Sequence, residues 1–242
     1  MPHSLFISDL HLGAEQPHSM AVFRRFTVET APQAEALYIL GDLFDCWAGD
    51  DDLEDAFHAQ VIAALRSLAQ HGTKVYLLQG NRDLLMGKAL ANACHATLLN
   101  DPTLIDLYGM PTLLSHGDIL CTKDAEYQLY RAQVHDADFQ RQFLAKPLAE
   151  RKTYIAQLRE RSIAEKQGKD SAIMDVNDNA VAALLRKHGY PRLIHGHTHR
   201  PGRHEHVVDG HTCERWVLGD WHQQGSALHC DGSEMKWETI FG

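Results

Sequence analysis

The chain has 242 residues, 44% of them apolar and 23% charged, with a formal net charge of -9. This length and apolar content are enough for a sizeable buried core, and they exclude a disordered chain. The acidic balance weighs against a general nucleic-acid binder, which would be basic overall.

The first predicted strand, residues 5–8, feeds Asp9-Leu10-His11. Residues 21–30 follow as a short helix with Val22, Phe23 and Phe26 inward, and a second strand at 37–40 ends in Gly41-Asp42. In residues 53–71 the apolar side chains Phe57, Val61, Ile62, Leu65 and Leu68 recur at helical spacing, and Gly72 is a natural stop. The run Asp50-Asp51-Asp52 just before it suits a helix N-terminus, where acidic side chains are favoured. A third strand at 75–78 ends in Gly80-Asn81-Arg82-Asp83. This alternation predicts a largely parallel sheet flanked by helices, with ligands gathering outside the carboxyl ends of the strands.

Between residues 97 and 115 the pattern changes to short strands with turns at Asp101-Pro102 and Tyr108-Gly109, so a hairpin or second sheet is expected. The last of these strands runs into His116-Gly117-Asp118. Residues 123–190 read as helical with breaks at Pro147 and Gly168, and 179–188 form a final scaffold helix. The run Leu193-Ile194-His195 then leads to Gly196-His197-Thr198-His199. On extended backbone, His197 and His199 share a face, and His195 is read as a packing residue. Strand-like runs at 206–208, 215–218, 227–230 and 235–240 close the chain. The expected architecture is a four-layer α/β sandwich: two mixed β-sheets flanked by helices in a single domain, 1–242, with residues 123–170 as a helical insertion forming a lid.

Between Arg141 and Lys169, eight basic residues (Arg141, Lys146, Arg151, Lys152, Arg159, Arg161, Lys166 and Lys169) stand against three acidic ones, Glu150, Glu160 and Glu165. Phe139, Phe143, Leu144, Leu148, Tyr154, Ile155 and Leu158 are interleaved with them. One reading is a cap whose apolar face packs on the core while its charges are solvated. The other is a lid for an anionic amphiphile or membrane surface, as cationic amphipathic helices provide.

The five cysteines are scattered, odd in number and never spaced Cys-x-x-Cys, which is the usage of a reducing compartment. No basic-then-apolar leader opens the sequence, and no apolar run approaches the roughly 18 residues that cross a bilayer. A cytoplasmic protein is expected, with no obligate protein partner evident.

Hard divalent cations take carboxylate, amide and imidazole donors, and two of them held close together can clamp both ends of a phosphoryl displacement. Asp9, His11 and His199 can serve one ion, and Asn81, His116 and His197 the other, with the Asp42 carboxylate bridging. Singly, each of these residues is an ordinary turn or core residue. Jointly, five strand-end clusters in this order are not explained by structure alone. Asp45 and Asp118 are expected to orient loops or ligands. His204, His206, His211 and His222 are read as surface or loop residues, and Trp47, Trp216 and Trp221 as core.

The ordered series D-x-H, G-D, G-N-R-D, H-G-D and G-H-T-H resembles the calcineurin-like metallophosphoesterase superfamily. A closer resemblance is to its branch that cleaves UDP-2,3-diacylglucosamine in lipid A biosynthesis. That closer likeness is carried by residues 7–12, 38–44, 49–52, 80–83, 116–118, 172–177 and 194–201. It implies the metallophosphoesterase sandwich, two Mn2+ per chain, and hydrolysis to UMP and the lipid 1-phosphate at the cytoplasmic face of an inner membrane. It also implies substrate contacts at Asn81, Arg82, Asp124, Ser162, Lys166, Lys169 and His197. At Lys166 a member of that branch has a shorter polar residue, and a lysine there can still reach a phosphate or a glucosamine hydroxyl.

Arg82 supports pyrophosphate cleavage independently. Many phosphatases of the superfamily have His after this Asn, where it can protonate an alkoxide leaving group. Arg stays charged and cannot act as that acid, but its fork suits a phosphoryl group. A phosphate leaving group, with a second pKa of about 6, scarcely needs a proton. The reading that Arg82 merely pairs with Asp83 is the structural alternative. The expected reaction is in-line attack of ionised water on the uridine-side phosphorus, with Asn81, Arg82 and His197 as catalytic residues. A nucleotide phosphodiesterase or nuclease of the same fold is the rival, and a non-catalytic scaffold is disfavoured because no ligand is missing.

Overall fold

A computed structural model describes residues 2–166, 175–222 and 224–240, with side chains in the long insertion helix described up to residue 160. The first sheet contains β1 (His3–Ile7), β2 (Ala36–Leu40), β3 (Lys74–Leu78), β4 (Thr97–Leu99), β10 (Gly225–Asp231) and β11 (Met235–Ile240), in the order β11-β10-β1-β2-β3-β4. Its β1 to β4 pairs are parallel and β10 and β11 join antiparallel. The second sheet has β5 (Thr103–Leu107), β6 (Met110–Ser115), β7 (Arg192–His195), β8 (Gly202–Val208) and β9 (His211–Val217), in the order β5-β6-β7-β9-β8. Here β6, β7 and β9 run parallel between two antiparallel edge strands.

Alternation along each strand builds the layers. Phe6, Leu40 and Leu78 of the first sheet pack with Leu114, Ile194 and Trp216 of the second. Leu5, Ile7, Leu37, Ile39, Val75 and Leu77 point the other way, onto α1 (Pro17–Arg25), α2 (His58–Gln70) and α3 (Lys88–Ala93). On the far side of the second sheet, Leu113 and Leu193 meet Val181 and Leu185 of α7 (Asp178–Lys187). The result is the expected helix–sheet–sheet–helix sandwich. Four of the five cysteines are buried and none is in a disulfide. Trp47, Trp216 and Trp221 are core residues.

Several local readings change. The short strand β4 belongs to the first sheet, so only β5 and β6 form the expected hairpin. Strand β8 starts at Gly202, earlier than its apolar residues suggest, because it is an edge strand whose side chains are largely exposed. Its hairpin to β9 turns at Asp209-Gly210, both at positive φ (51° and 85°), the dipeptide such a turn favours.

Between β6 and α7 lie α4 (Ala125–Val134), α5 (Ala137–Leu144) and α6 (Leu148–Lys166). An unforeseen break at His135-Asp136 separates α4 from α5, where the Asp136 carboxylate accepts the backbone N–H groups of Asp138 and Phe139. The described basic residues between 141 and 160 are all paired within the protein, and Arg151 is the buried one among them. Arg151 is 1% exposed and pairs with Asp51, donating also to the Ala48 carbonyl. Lys152 Nζ lies 2.7 Å from Asp52 and 3.1 Å from Asp55, and Arg159 pairs with Asp45. Lys146 and Arg141 pair with Glu150 and Asp138 on their own helices. The acidic run therefore anchors α6 and does not start α2, which begins only at His58. Its remaining member, Asp50, caps α3 instead, accepting from Gly87, Ala89 and Leu90.

Candidate metal centre

Asp9 and His11 follow β1, Asp42 follows β2, Asn81 follows β3, His116 follows β6, and His197 and His199 follow β7. All five strands run parallel to a neighbour in the middle of a sheet, so their carboxyl ends meet at one rim. The side chains do not converge by strand alternation, as proposed for His197 and His199. Asp9, His11, Asp42, His197 and His199 have φ of 56°, 47°, 54°, 69° and 54°. Such left-handed backbone at non-glycine residues is costly and concentrates at functional sites. Close approach of the loops reinforces it: a Cβ at Gly196 would overlap Ser8 Oγ and Asp9 Oδ2.

The donors form two groups. Asp9 Oδ1 lies 3.3 Å from His199 Nε2, which is 3.4 Å from His11 Nε2. Asn81 Oδ1 lies 3.1 Å from His116 Nε2 and 2.9 Å from His197 Nδ1. Between the groups, Asp42 places Oδ2 3.9 Å from His11 Nδ1 and Oδ1 3.8 Å from His116 Nε2. Asp9 is close to Asp42 and His116 as well, so it stands near both groups.

The outward-facing atoms are fixed. Asp9 Oδ2 accepts Ser8 Oγ at 2.6 Å and the His197 N–H at 2.9 Å, which leaves Oδ1 to the site. His116 donates Nδ1–H to the Leu40 carbonyl at 2.9 Å, leaving Nε2 inward, as in metal-binding histidines held by an outer partner. Asp83 is fully buried and accepts the N–H groups of Gly80, Asp42, Leu43 and Phe44, so it shapes both loops. It is therefore not the partner of Arg82. The Arg82 guanidinium has no ion-pair partner among the described residues, while its backbone N–H donates to Asp42 Oδ1 at 2.8 Å.

Electrostatics suit a cation. Burial disfavours the charged form of His116 and His199, yet the surrounding carboxylates outweigh it. Asp42 and Asp9 hold His116 up at about 9, and hydrogen bonds to Asp220 and Asp9 hold His199 up at about 10. Asp9 stays far below the usual carboxylate range despite burial, through His199 and His116. Burial lowers His11 to about 3, and its Nδ1 is a buried atom without a hydrogen-bond partner among the described residues. Carboxylates that call for positive charge, beside imidazoles with orphaned atoms, fit divalent cations. A different acidic cluster, Asp52, Asp55 and His58, already holds the Lys152 ammonium.

A cavity of about 840 Å³ opens on this centre. His11, Asp42, Asn81, Arg82, Asp124, His197 and His199 line it, together with Leu84 and Leu85 and with Tyr130, Val134, Phe139, Phe143, Ile155 and Leu158 of α4 to α6. Asp124 also caps α4 through the Tyr127 N–H at 3.1 Å. Ser162 and Lys166 fall on α6, but their side chains lie outside the described residues, as does Lys169 altogether.

Asp118 accepts from Tyr127 Oη and Arg131 Nε, tying α4 to the His116 loop. His195 is buried against Arg215, and burial with that charge lowers it to about 3, so it packs as a neutral ring. Two residues at the centre were missed. Asp220 Oδ2 is 3.0 Å from His199 Nδ1, and His222, an exposed loop residue as expected, stacks on His11 at 5.5 Å. A third Asp-x-His sequence, 220–222, was the available signal.

Residues 3–201 match the family model described as calcineurin-like phosphoesterase. A curated relative from Aromatoleum aromaticum, named UDP-2,3-diacylglucosamine hydrolase, is 54% identical over 99% of this chain and 97% of its own. A protein of that name from Stenotrophomonas maltophilia is 47% identical over 98% of each chain. Among solved structures, a dimetal phosphatase from Danio rerio is 11% identical with a TM-score of 0.52, covering 98% of this chain and 95% of its own, which shows a shared fold.

Proposed function

Because this chain belongs to the calcineurin-like phosphoesterase family, we propose that it hydrolyses the pyrophosphate bond of UDP-2,3-diacylglucosamine, giving UMP and 2,3-diacylglucosamine 1-phosphate for lipid A biosynthesis. The observation that carries this reading is the cavity, which joins the cation-binding donors and Arg82 to apolar side chains suited to acyl chains. Those walls disfavour the nuclease reading, which calls for a basic groove.

Asp9, His11, Asp42, Asn81, His116, His197 and His199 would hold two divalent cations, Mn2+ in our reading, since the mixed carboxylate, amide and imidazole donors suit it. When bound, such a pair supplies positive charge that lowers the pKa of water and offsets charge on phosphoryl oxygens. The chain does the rest. The Arg82 guanidinium, which lines the cavity and has no ion-pair partner among the described residues, holds the oxygens that gain charge. Asn81 and His197, 2.9 Å apart, orient the same phosphoryl group. Asp124 contacts the substrate near the start of α4, and Ser162, Lys166 and Lys169 contribute from the 123–170 insertion.

No described helix is long and apolar enough to cross a membrane. We place the enzyme at the cytoplasmic face of the inner membrane, where a diacylated substrate resides. The exposed Leu129, Tyr130, Leu144 and Tyr154 on the cavity-lining helices support that placement. The described basic residues between 141 and 160 do not, because they are paired within the protein.

Turnover of the lipid nucleotide by Mn2+-loaded protein in oxygen-18 water tests the reaction. The label is expected in UMP, because water attacks the uridine-side phosphorus and the lipid phosphate leaves. Label in the lipid phosphate would move the attack to the other phosphorus, and absence of turnover would overturn the substrate.

A further inference from the structure

We propose that Asp220 is a positioning residue of the metal centre: it fixes the tautomer and orientation of His199 so that Nε2 is presented to the cation shared with His11. This rests on the two-cation reading above.

His199 lies beyond the end of β7, at φ 54°, and its side chain is 31% exposed, so neither a strand nor tight packing sets the ring. Its two nitrogens face different partners. Nε2 points to the centre, 3.4 Å from His11 Nε2 and 3.3 Å from Asp9 Oδ1. Nδ1 points away, 3.0 Å from Asp220 Oδ2. A carboxylate can only accept there, so this contact keeps a proton on Nδ1 and makes Nε2 the nitrogen that exchanges its proton for a cation. Carboxylates in this position fix ring orientation and raise ligand basicity.

Asp220 is itself held in place by its neighbour. Trp221 is fully buried against the rings of Phe23 and Phe26 and donates Nε1–H to the Ser226 carbonyl at 3.1 Å. Its backbone N–H reaches the Asp9 carbonyl at 3.3 Å. The turn is thereby tied to the loop that carries Asp9 and His11, and the carboxylate is set against His199 before any cation arrives.

The test is Mn2+ titration of metal-depleted full-length protein, followed by calorimetry and by electron paramagnetic resonance of free Mn2+. Wild type is expected to bind two ions. In Asp220→Ala one of the two should bind about 10- to 100-fold more weakly while the other is unchanged. The isosteric Asp220→Asn, whose amide oxygen still accepts Nδ1–H, should recover part of that loss without altering the melting temperature of the metal-free protein. Two ions bound as tightly by both variants as by wild type would overturn the role of Asp220 alone. A wild type that binds fewer than two would overturn the two-cation reading and this inference with it.

Discussion

Asp42→Ala is expected to lower kcat/KM by at least about 1,000-fold, a loss of roughly 4 kcal/mol of transition-state stabilisation. The size follows from position. Asp42 stands between the two donor groups, 3.9 Å from His11 and 3.8 Å from His116. On the two-cation proposal, its removal would take a ligand from both cations at once. The protein should nevertheless stay folded. Burial, with the like charges of Asp83 and Asp9, pushes Asp42 up to about 7 against the pull of His116. A carboxyl whose pKa is higher in the folded state loses stability as pH rises from its unfolded value, 3.8, towards 7. At pH 7 the metal-free alanine variant is spared that cost. It loses mainly the 2.8 Å hydrogen bond from the Arg82 N–H, worth about 1 kcal/mol. Its metal-free melting temperature should then fall by no more than about 4 °C. Activity above about a tenth of wild type would show that Asp42 is not the bridge.

Arg82→Ala should lower kcat on the lipid nucleotide by about 100- to 1,000-fold, the usual effect of removing a donor aimed at developing charge. With no ion-pair partner among the described residues, the guanidinium contributes little to folding, so the variant should melt like wild type. Arg82→Lys should lie between the two, since an ammonium keeps the charge and loses the fork. A fall of less than about 5-fold in the alanine variant would remove Arg82 from the reaction. Asp83, which serves four backbone N–H groups, offers no alternative explanation for a loss.

The frame of this site was legible because its chemistry sits at strand ends. An apolar run that stops at Asp9, Asp42, Asn81 or His116 announces both the strand and the rim. How the side chains converge was not legible. Alternation on extended backbone brings His197 and His199 to one face in principle, but both lie past the end of β7 in left-handed conformation. Local pattern says nothing about long-range pairing, so the run Asp50–Asp52 read as a cap for the helix that follows. Those carboxylates instead reach α3 and α6, up to 100 residues away. The same blindness made the basic residues of α6 look solvated or membrane-facing. Asp220 and His222 escaped although the strand-like run 215–218 leads into them, because the segment reads as closing scaffold and His222 as a loop residue. The repeated Asp-x-His spacing marks them.

The most direct test of the two-cation centre is anomalous scattering from crystals grown with excess Mn2+. Two peaks roughly 3.5–4 Å apart are predicted, one beside Asp9, His11 and His199 and the other beside Asn81, His116 and His197, with Asp42 touching both. A single peak at full occupancy, or manganese bound only elsewhere, such as at Asp52, Asp55 and His58, would contradict the account.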